Sequence, residues 1–326
     1  MMKLISRETI DSCCSPGEAV EAMRLAFGHL SNRQANVPLR TPLLVNEQTT
    51  SLVMPVAIKG YPTFAIKSVS LTRDNHLRNL PRINGTLTLF DSKTGCPVCQ
   101  IDAERITSLR TGAAVGLSVD LFTPPEPLTL GLFGCGNQAS ACLRAIASTR
   151  PLQQVFVFSR DPNRGSAFCQ NESRFTQAPI IWTREQATLK QCQVVCLATS
   201  SPVPVFEQRQ LPDQFLLAAI GSYQADQTEF DPKILESAQV IVDQKTACVN
   251  ESGEICTAIE NGYLDPAQLV EIGQLINQPE ISRSFSRTVF KSVGNAVQDL
   301  VLGDLVYQKA RSLEPGQENN PGPKTA

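Results

Sequence analysis

The chain has 326 residues, 42% hydrophobic and 18% charged, with a formal net charge of -2; this length exceeds one ordinary core and predicts two domains of a soluble globular protein. Lys and Arg form no stripe, which excludes a nucleic-acid or anionic-membrane footprint. No apolar run reaches the roughly 18 to 20 residues of a membrane span, and MMKLISRETIDSCC has no signal-peptide apolar core, so a cytoplasmic protein is expected, its partner a small molecule or a second copy of itself.

In chain order, SPGEAVEAMRLAFGHL opens with Ser15 as N-cap, Pro16 at the first helical position and Glu18 three residues on, followed by apolar residues at helical spacing, and predicts an amphipathic helix. From about residue 37 to 102 the runs TSLVMPVAI, TFAIKSVSL, GTLTLFD and PVCQID, broken by KGYP and DSKTG, predict a small sheet fronted by that helix. The eleven cysteines are scattered as small buried residues and read as free thiols; Cys96 and Cys99 form one CxxC without a second pair, so they read as part of a strand, and no metal is expected. His29 is placed on the helix surface and His76 in a loop, neither with a visible relay partner.

ERITSLRTGAAVGLSVDLF predicts a helix that the proline-rich TPPEP must end. Beyond it LTLGLF, VFVF, VVCLA, FLLAAI and VIVD alternate with helical segments at 139–149, 163–170, 184–191 and 231–236, the pattern of a doubly wound parallel α/β sheet. SRTVFKSVGNAVQDLVLGDLVYQKARSL carries a last long helix that returns to the first domain, and residues 314–326 form a polar tail expected to be disordered. The expected division is 1–123 with 296–313, then 124–295, then the tail.

LTLGLFGCGNQAS sets Gly134, Gly136 and Ala139 between a strand and a helix, which predicts a dinucleotide-binding turn. Gly134 permits the tight turn, Gly136 leaves room for the pyrophosphate at the helix start with Asn137 and Gln138, and Ala139 lets helix and strand approach. An acid at the end of the second strand would select NAD, but Ser159 and Arg160 stand there, with Arg164 one turn on; hydroxyl and guanidinium suit a 2′-phosphate and favour NADPH, with NADH still possible. Asp161 lies too late for the usual ribose contact and is expected to cap the next helix.

VPLRTP around Arg40, AIKSV around Lys67, SLRTGAA around Arg110, GCGNQA, ESGEI and FKSVGNAVQDL together resemble the ornithine cyclodeaminase and mu-crystallin family. The resemblance implies a Rossmann domain beside a dimerisation and substrate domain built from both chain ends, a homodimer, and hydride transfer between nicotinamide C4 and a carbon joining nitrogen to a carboxylate. It also implies that Arg40, Lys67 and Arg110 hold the substrate carboxylate. Arg110, Thr111, Thr199, Ile220, Gly221, Ser222, Ser292, Val293 and Gly294 would lie beside the cofactor. Glu251 and Glu254 read as helix-start carboxylates without a catalytic role.

Two departures bear on the reaction. Where ornithine cyclodeaminases carry a Glu before the Met-Pro that is Met54-Pro55 here, and an Asp after the strand end AIG, this chain has Leu52 and Tyr223. Cyclodeamination needs a carboxylate acid/base, whereas a cyclic ketimine already contains its C=N bond. The expected reaction is therefore reduction of Δ1-pyrroline-2-carboxylate or Δ1-piperideine-2-carboxylate to L-proline or L-pipecolate, with Lys67, Arg110 and Tyr223 as catalytic candidates, Tyr223 donating a proton or packing on the nicotinamide. An ornithine cyclodeaminase, an alanine- or opine-like dehydrogenase and an NADPH-gated binding protein of the mu-crystallin kind stay open as alternatives.

Overall fold

Two sheets organise the chain, and the helix between them carries part of the candidate site. The computed structural model describes residues 2–78, 80–81, 83–222, 224–278 and 286–313. Tyr223 and the tail 314–326 lie outside the described residues, as does the side chain of His76.

The first sheet contains β1 (Lys3–Ile5), β2 (Ala35–Asn36), β3 (Thr41–Leu44), β4 (Thr49–Ile58), β5 (Thr63–Thr72), β6 (Ile83–Asp91) and β7 (Pro97–Asp102). Its order is β1-β7-β6-β5-β4-β2, with β3 paired to β4; β1 runs parallel to β7 and the other pairs are antiparallel. Alternation along β5 buries Thr63, Ala65, Lys67 and Val69 and turns Ile66 and Ser68 outward, so the period of two places the Lys67 ammonium on the inner face. Helices α1 (Arg7–Cys13) and α2 (Pro16–Ser31) lie between β1 and β2, and α2 starts with the expected capping box of Ser15 and Glu18.

Helix α3 (Ala103–Phe122) links the two sheets and is buried on nearly every side, as a helix packed from all directions must be. Its small residues let the backbones meet: a Cβ on Gly112 would lie 2.4 Å from the Ala141 carbonyl carbon, and one on Gly116 would lie 3.0 Å from the Ala145 oxygen. Ala141 and Ala145 belong to α4 (Asn137–Thr149), the helix that follows the glycine turn.

The second sheet is wholly parallel. It contains β8 (Leu128–Phe133), β9 (Leu152–Phe158), β10 (Ile180–Thr183), β11 (Val194–Leu197), β12 (Phe215–Ala219), β13 (Gln239–Val242), β14 (Val270–Glu271) and β15 (Arg287–Lys291), in the order β10-β9-β8-β11-β12-β15-β13-β14. The order reverses between β8 and β11, the switch point where open α/β sheets bind ligands. Every residue of β8, β11 and β12 is buried, which is why their sequences read as continuous apolar runs. The remaining helices are α5 (Pro162–Glu172), α6 (Lys245–Glu251), α7 (Gly253–Glu260), α8 (Ile272–Asn277) and α9 (Ala296–Ser312). The last of these lies back across β4, β5 and β6 of the first sheet, and one apolar core runs through α2, α3, α4, α9 and the facing sides of both sheets.

Several segments depart from the expectations. The helices expected at 184–191 and 231–236 are 3-10 segments of six residues each, Gln186–Gln191 and Pro232–Ser237, the short, tighter winding common in connectors. RTVFK, not among the expected strands, is β15, and its β-branched and aromatic residues pair with β12 and β13. The four-residue β10 was missed altogether.

Candidate active site

The glycine turn closes the end of β8. Gly134 has φ of 109°, and a Cβ there would lie 2.4 Å from the Ala198 carbonyl oxygen, so this position admits no side chain. At Gly136 the φ is −104° and a Cβ would meet nothing within 4 Å. The two glycines thus have different reasons: the first makes the bend, the second keeps open the approach to the amino end of α4, where Gly136 supplies no side-chain cap and the backbone N-H groups suit an anion. Ala139 is fully buried, and Asn137 Nδ2 is anchored on Glu104 Oε1 at 3.1 Å. Gln138 Oε1 is buried without a hydrogen-bond partner.

At the end of β9, Ser159 Oγ donates to the Asp161 carbonyl oxygen at 2.9 Å. The Asp161 carboxylate accepts from the backbone N-H groups of Asn163 at 2.9 Å and Arg164 at 3.3 Å, the helix cap expected from the sequence. It is therefore turned into α5. Arg160 and Arg164 are exposed at this turn.

The three cations selected from motifs far apart in sequence converge near Gly294. Lys67 Nζ donates to Asp299 Oδ1 at 2.8 Å and to Thr107 Oγ1 at 2.6 Å. Arg110 Nη1 donates to Gln298 Oε1 at 3.2 Å, and its Nε lies 3.5 Å from Asp299 Oδ1. Arg40 Nη2 donates to Glu251 Oε2 at 2.6 Å and to the Gly294 carbonyl at 2.9 Å. Gly294, at φ 76°, leaves the space that the Arg110 guanidinium fills, since a Cβ would lie 2.3 Å from Nη1. Lys67 and Arg110 are 2% and 7% exposed, so neither is an ordinary surface cation. Burial lowers the Lys67 ammonium to about 8, with Asp299 opposing the shift and Arg110 and Arg40 adding to it. Burial also raises the Glu251 carboxyl, against the attraction of Arg40.

Within this cluster Lys67 and Arg110 meet Asp299, and Arg40 meets Glu251. Asp299 Oδ2, Arg110 Nε, Asn295 Nδ2 and Gln298 Nε2 are buried and unpartnered.

The loops between this cluster and the glycine turn are held by carboxylates that the sequence reading did not select. Glu229, fully buried, accepts from Thr199 N at 2.9 Å, Thr199 Oγ1 at 2.8 Å, Gly221 N at 2.7 Å and Ser222 N at 3.0 Å. Burial raises its carboxyl, opposed by Lys291 and these Thr199 bonds. Asp243 accepts from Ser292 Oγ and Gly294 N, both at 2.7 Å. Glu254 starts α7 as expected, but it is buried and paired with Lys291 at 3.0 Å. Glu251 instead ends α6 and faces Arg40. The signal for Asp243 was an acid just beyond an apolar strand, VIVD, whereas Glu229 lies in the loop QTEFD and carried no such signal. Thr199, Ile220, Gly221 and Ser222 thus sit at the ends of β11 and β12, and Ser292, Val293 and Gly294 after β15. Thr111 is buried on α3 beside Arg110, and Leu52 is half-buried on β4.

A cleft of about 670 Å³ lined by Lys190, Phe206, Arg209, Asp213 and Arg287 opens at the amino ends of β12 and β15, away from the strand ends that carry the glycine turn. Among the described residues no His, Cys, Asp and Glu cluster that would hold a metal occurs, and no helix is long and apolar enough to cross a membrane.

A parallel sheet with a glycine turn at its switch point, facing buried cations, is the architecture of a nicotinamide-dependent oxidoreductase. The chain belongs to the ornithine cyclodeaminase/mu-crystallin family, which it matches over residues 2–314. A Delta(1)-pyrroline-2-carboxylate reductase of Bacillus cereus is 27% identical over 315 residues, 95% of this chain and 97% of that protein. Among solved structures, the Thermococcus litoralis Delta(1)-pyrroline-2-carboxylate reductase in complex with NADH and L-proline superposes with a TM-score of 0.90 at 28% identity, covering 95% of this chain and 98% of that one. An archaeal alanine dehydrogenase dimer with bound NAD gives 0.89 at 25% identity, over 98% and 99%.

Proposed function

We propose that the protein is a reductase of cyclic ketimines, converting Δ1-pyrroline-2-carboxylate and Δ1-piperideine-2-carboxylate to L-proline and L-pipecolate with NADPH preferred and NADH accepted. The observation that carries this reading is the buried Lys67–Asp299–Arg110 cluster with Arg40 beside it, next to the switch point. Arg40, Lys67 and Arg110 take the substrate carboxylate, two forks and one ammonium around an anion. A nicotinamide held there would supply the hydride that reduces the C=N bond, the nitrogen taking its proton from solvent. Arg110, Thr111, the turn from Gly134 to Ala139, Thr199, Ile220 to Ser222 and Ser292 to Gly294 line the cofactor. Leu52 in place of a carboxylate speaks against cyclodeamination. The two similar solved structures, with NADH and L-proline and with NAD, support a nicotinamide dinucleotide and a small amino-acid product.

The preference for NADPH rests on Ser159, Arg160 and Arg164, with Asp161 turned away into its helix. The active form is a homodimer: Leu43, Val53 and Ile66 expose an apolar surface on one face of β3, β4 and β5 that a second copy would cover. The test is oxidation of NADPH and NADH by the purified protein with each cyclic imine and with pyruvate plus ammonia. Turnover of a cyclic imine is the expected result; turnover confined to pyruvate plus ammonia would move the assignment to an open-chain dehydrogenase.

A further inference from the structure

The turn that ends β9 is held from the neighbouring strand. β10 runs parallel to β9 with Trp182 beside Val157 and Thr183 beside Phe158, so Arg184 emerges next to Ser159 and Arg160. Trp182 Nε1 donates to the Ser159 carbonyl at 3.3 Å, and Arg184 Nη2 donates to the Arg160 carbonyl at 2.7 Å. The indole fits against α5 because residue 165 is glycine: a Cβ there would lie 2.0 Å from Trp182 Cδ1. The Arg184 guanidinium stands 5.6 Å from the indole centroid. Arg160, Arg164 and Arg184 are exposed, and among the described residues none of the three forms an ion pair.

We propose that Trp182 and Arg184 set the preference for a 2′-phosphorylated adenosine, Trp182 by fixing the backbone of the turn and Arg184 by adding a third cation anchored to it. This inference rests on the NADPH reading and assigns its selectivity to a strand beyond the one that carries the turn. A guanidinium tied through one N-H to a carbonyl loses less freedom on binding phosphate than a free one, and its other donors stay available. A ribose hydroxyl gains little from that charge, whereas a 2′-phosphate gains a charge-assisted bond.

Adenosine 2′,5′-bisphosphate and adenosine 5′-monophosphate isolate the effect from the nicotinamide. Each is titrated by calorimetry, with the emission of Trp182, the sole tryptophan, as a local reporter. Wild-type protein binds the bisphosphate more tightly, and Arg184→Ala weakens it about tenfold while the monophosphate changes by less than about twofold. Trp182→Phe, which keeps an aromatic ring and removes the N-H donor, narrows the difference between the ligands. Undiminished bisphosphate binding by Arg184→Ala, in a protein whose wild type discriminates, overturns the role of Arg184 alone. A wild type that binds both ligands equally overturns the NADPH reading and this inference with it.

Discussion

Lys67 Nζ lies 2.8 Å from Asp299 Oδ1, joining residues 232 apart in sequence in a pair that is buried on both sides. Asp299 on α9 raises the Lys67 ammonium, whereas burial, Arg110 on α3 and Arg40 in the loop after β2 lower it, leaving it near 8. If the ammonium holds the substrate carboxylate, kcat/KM for the imine is constant below that value and falls as pH rises through about 8. Asp299→Asn removes the group that favours the charged form, so the falling limb moves to lower pH. A pH profile of kcat/KM for both proteins checks this; an unmoved limb separates Asp299 from the titration.

Arg110 tests geometry as distinct from charge. Its guanidinium fits over Gly294 and reaches Gln298 and Asp299, a planar arrangement that an ammonium does not reproduce. Arg110→Lys is expected to raise KM for the imine by about tenfold or more, roughly 1.4 kcal/mol. Steady-state kinetics of the two proteins, with the affinity for dinucleotide measured in parallel, give the comparison.

The two glycines of the turn predict opposite outcomes. Gly134→Ala meets the Ala198 carbonyl at 2.4 Å with φ at 109°, so it destabilises the fold by about 1–3 kcal/mol. Gly136→Val has open space and an ordinary φ; it should unfold as wild type does and lose dinucleotide binding. Thermal unfolding combined with NADPH fluorescence titration separates the two.

Lys291 and Glu254 form a fully buried pair at 3.0 Å, to which Ser222 adds bonds from both sides. Lys291→Met leaves the carboxylate uncompensated and is expected to destabilise by about 3–5 kcal/mol. Converting both residues to apolar ones should recover much of that loss, because partners in one network are not additive. Urea unfolding of the single and double variants reads the coupling directly.

The legible part of the structure was its punctuation and its long periodic elements. Ser15, Pro16 and Glu18 announced α2, the continuous apolar runs announced the parallel sheet, and the glycines located the turn. The short pieces were not legible: IIWT has four residues, and in RTVFK a short apolar run fits either period. Arg40, Lys67 and Arg110 were selectable through their motifs, but their mutual placement was not. In TFAIKSVSL both alternating faces contain apolar residues, so nothing local says that Lys67 points inward. Asp299, Glu229 and Asp243 were missed for a related reason. Their partners are side chains and backbone N-H groups from elements remote in sequence, and a lone acid in VQDLVLGDLV or at the end of VIVD looks like ordinary solvated charge until the fold buries it.

The most direct measurement is steady-state turnover by the purified protein with Δ1-pyrroline-2-carboxylate plus NADPH, set beside L-ornithine plus NAD with proline and ammonia as the products sought. The account predicts NADPH oxidation with formation of L-proline from the imine, and no ammonia from ornithine. Release of ammonia and proline from ornithine, with no reduction of the imine by a protein that binds NADPH, would contradict it.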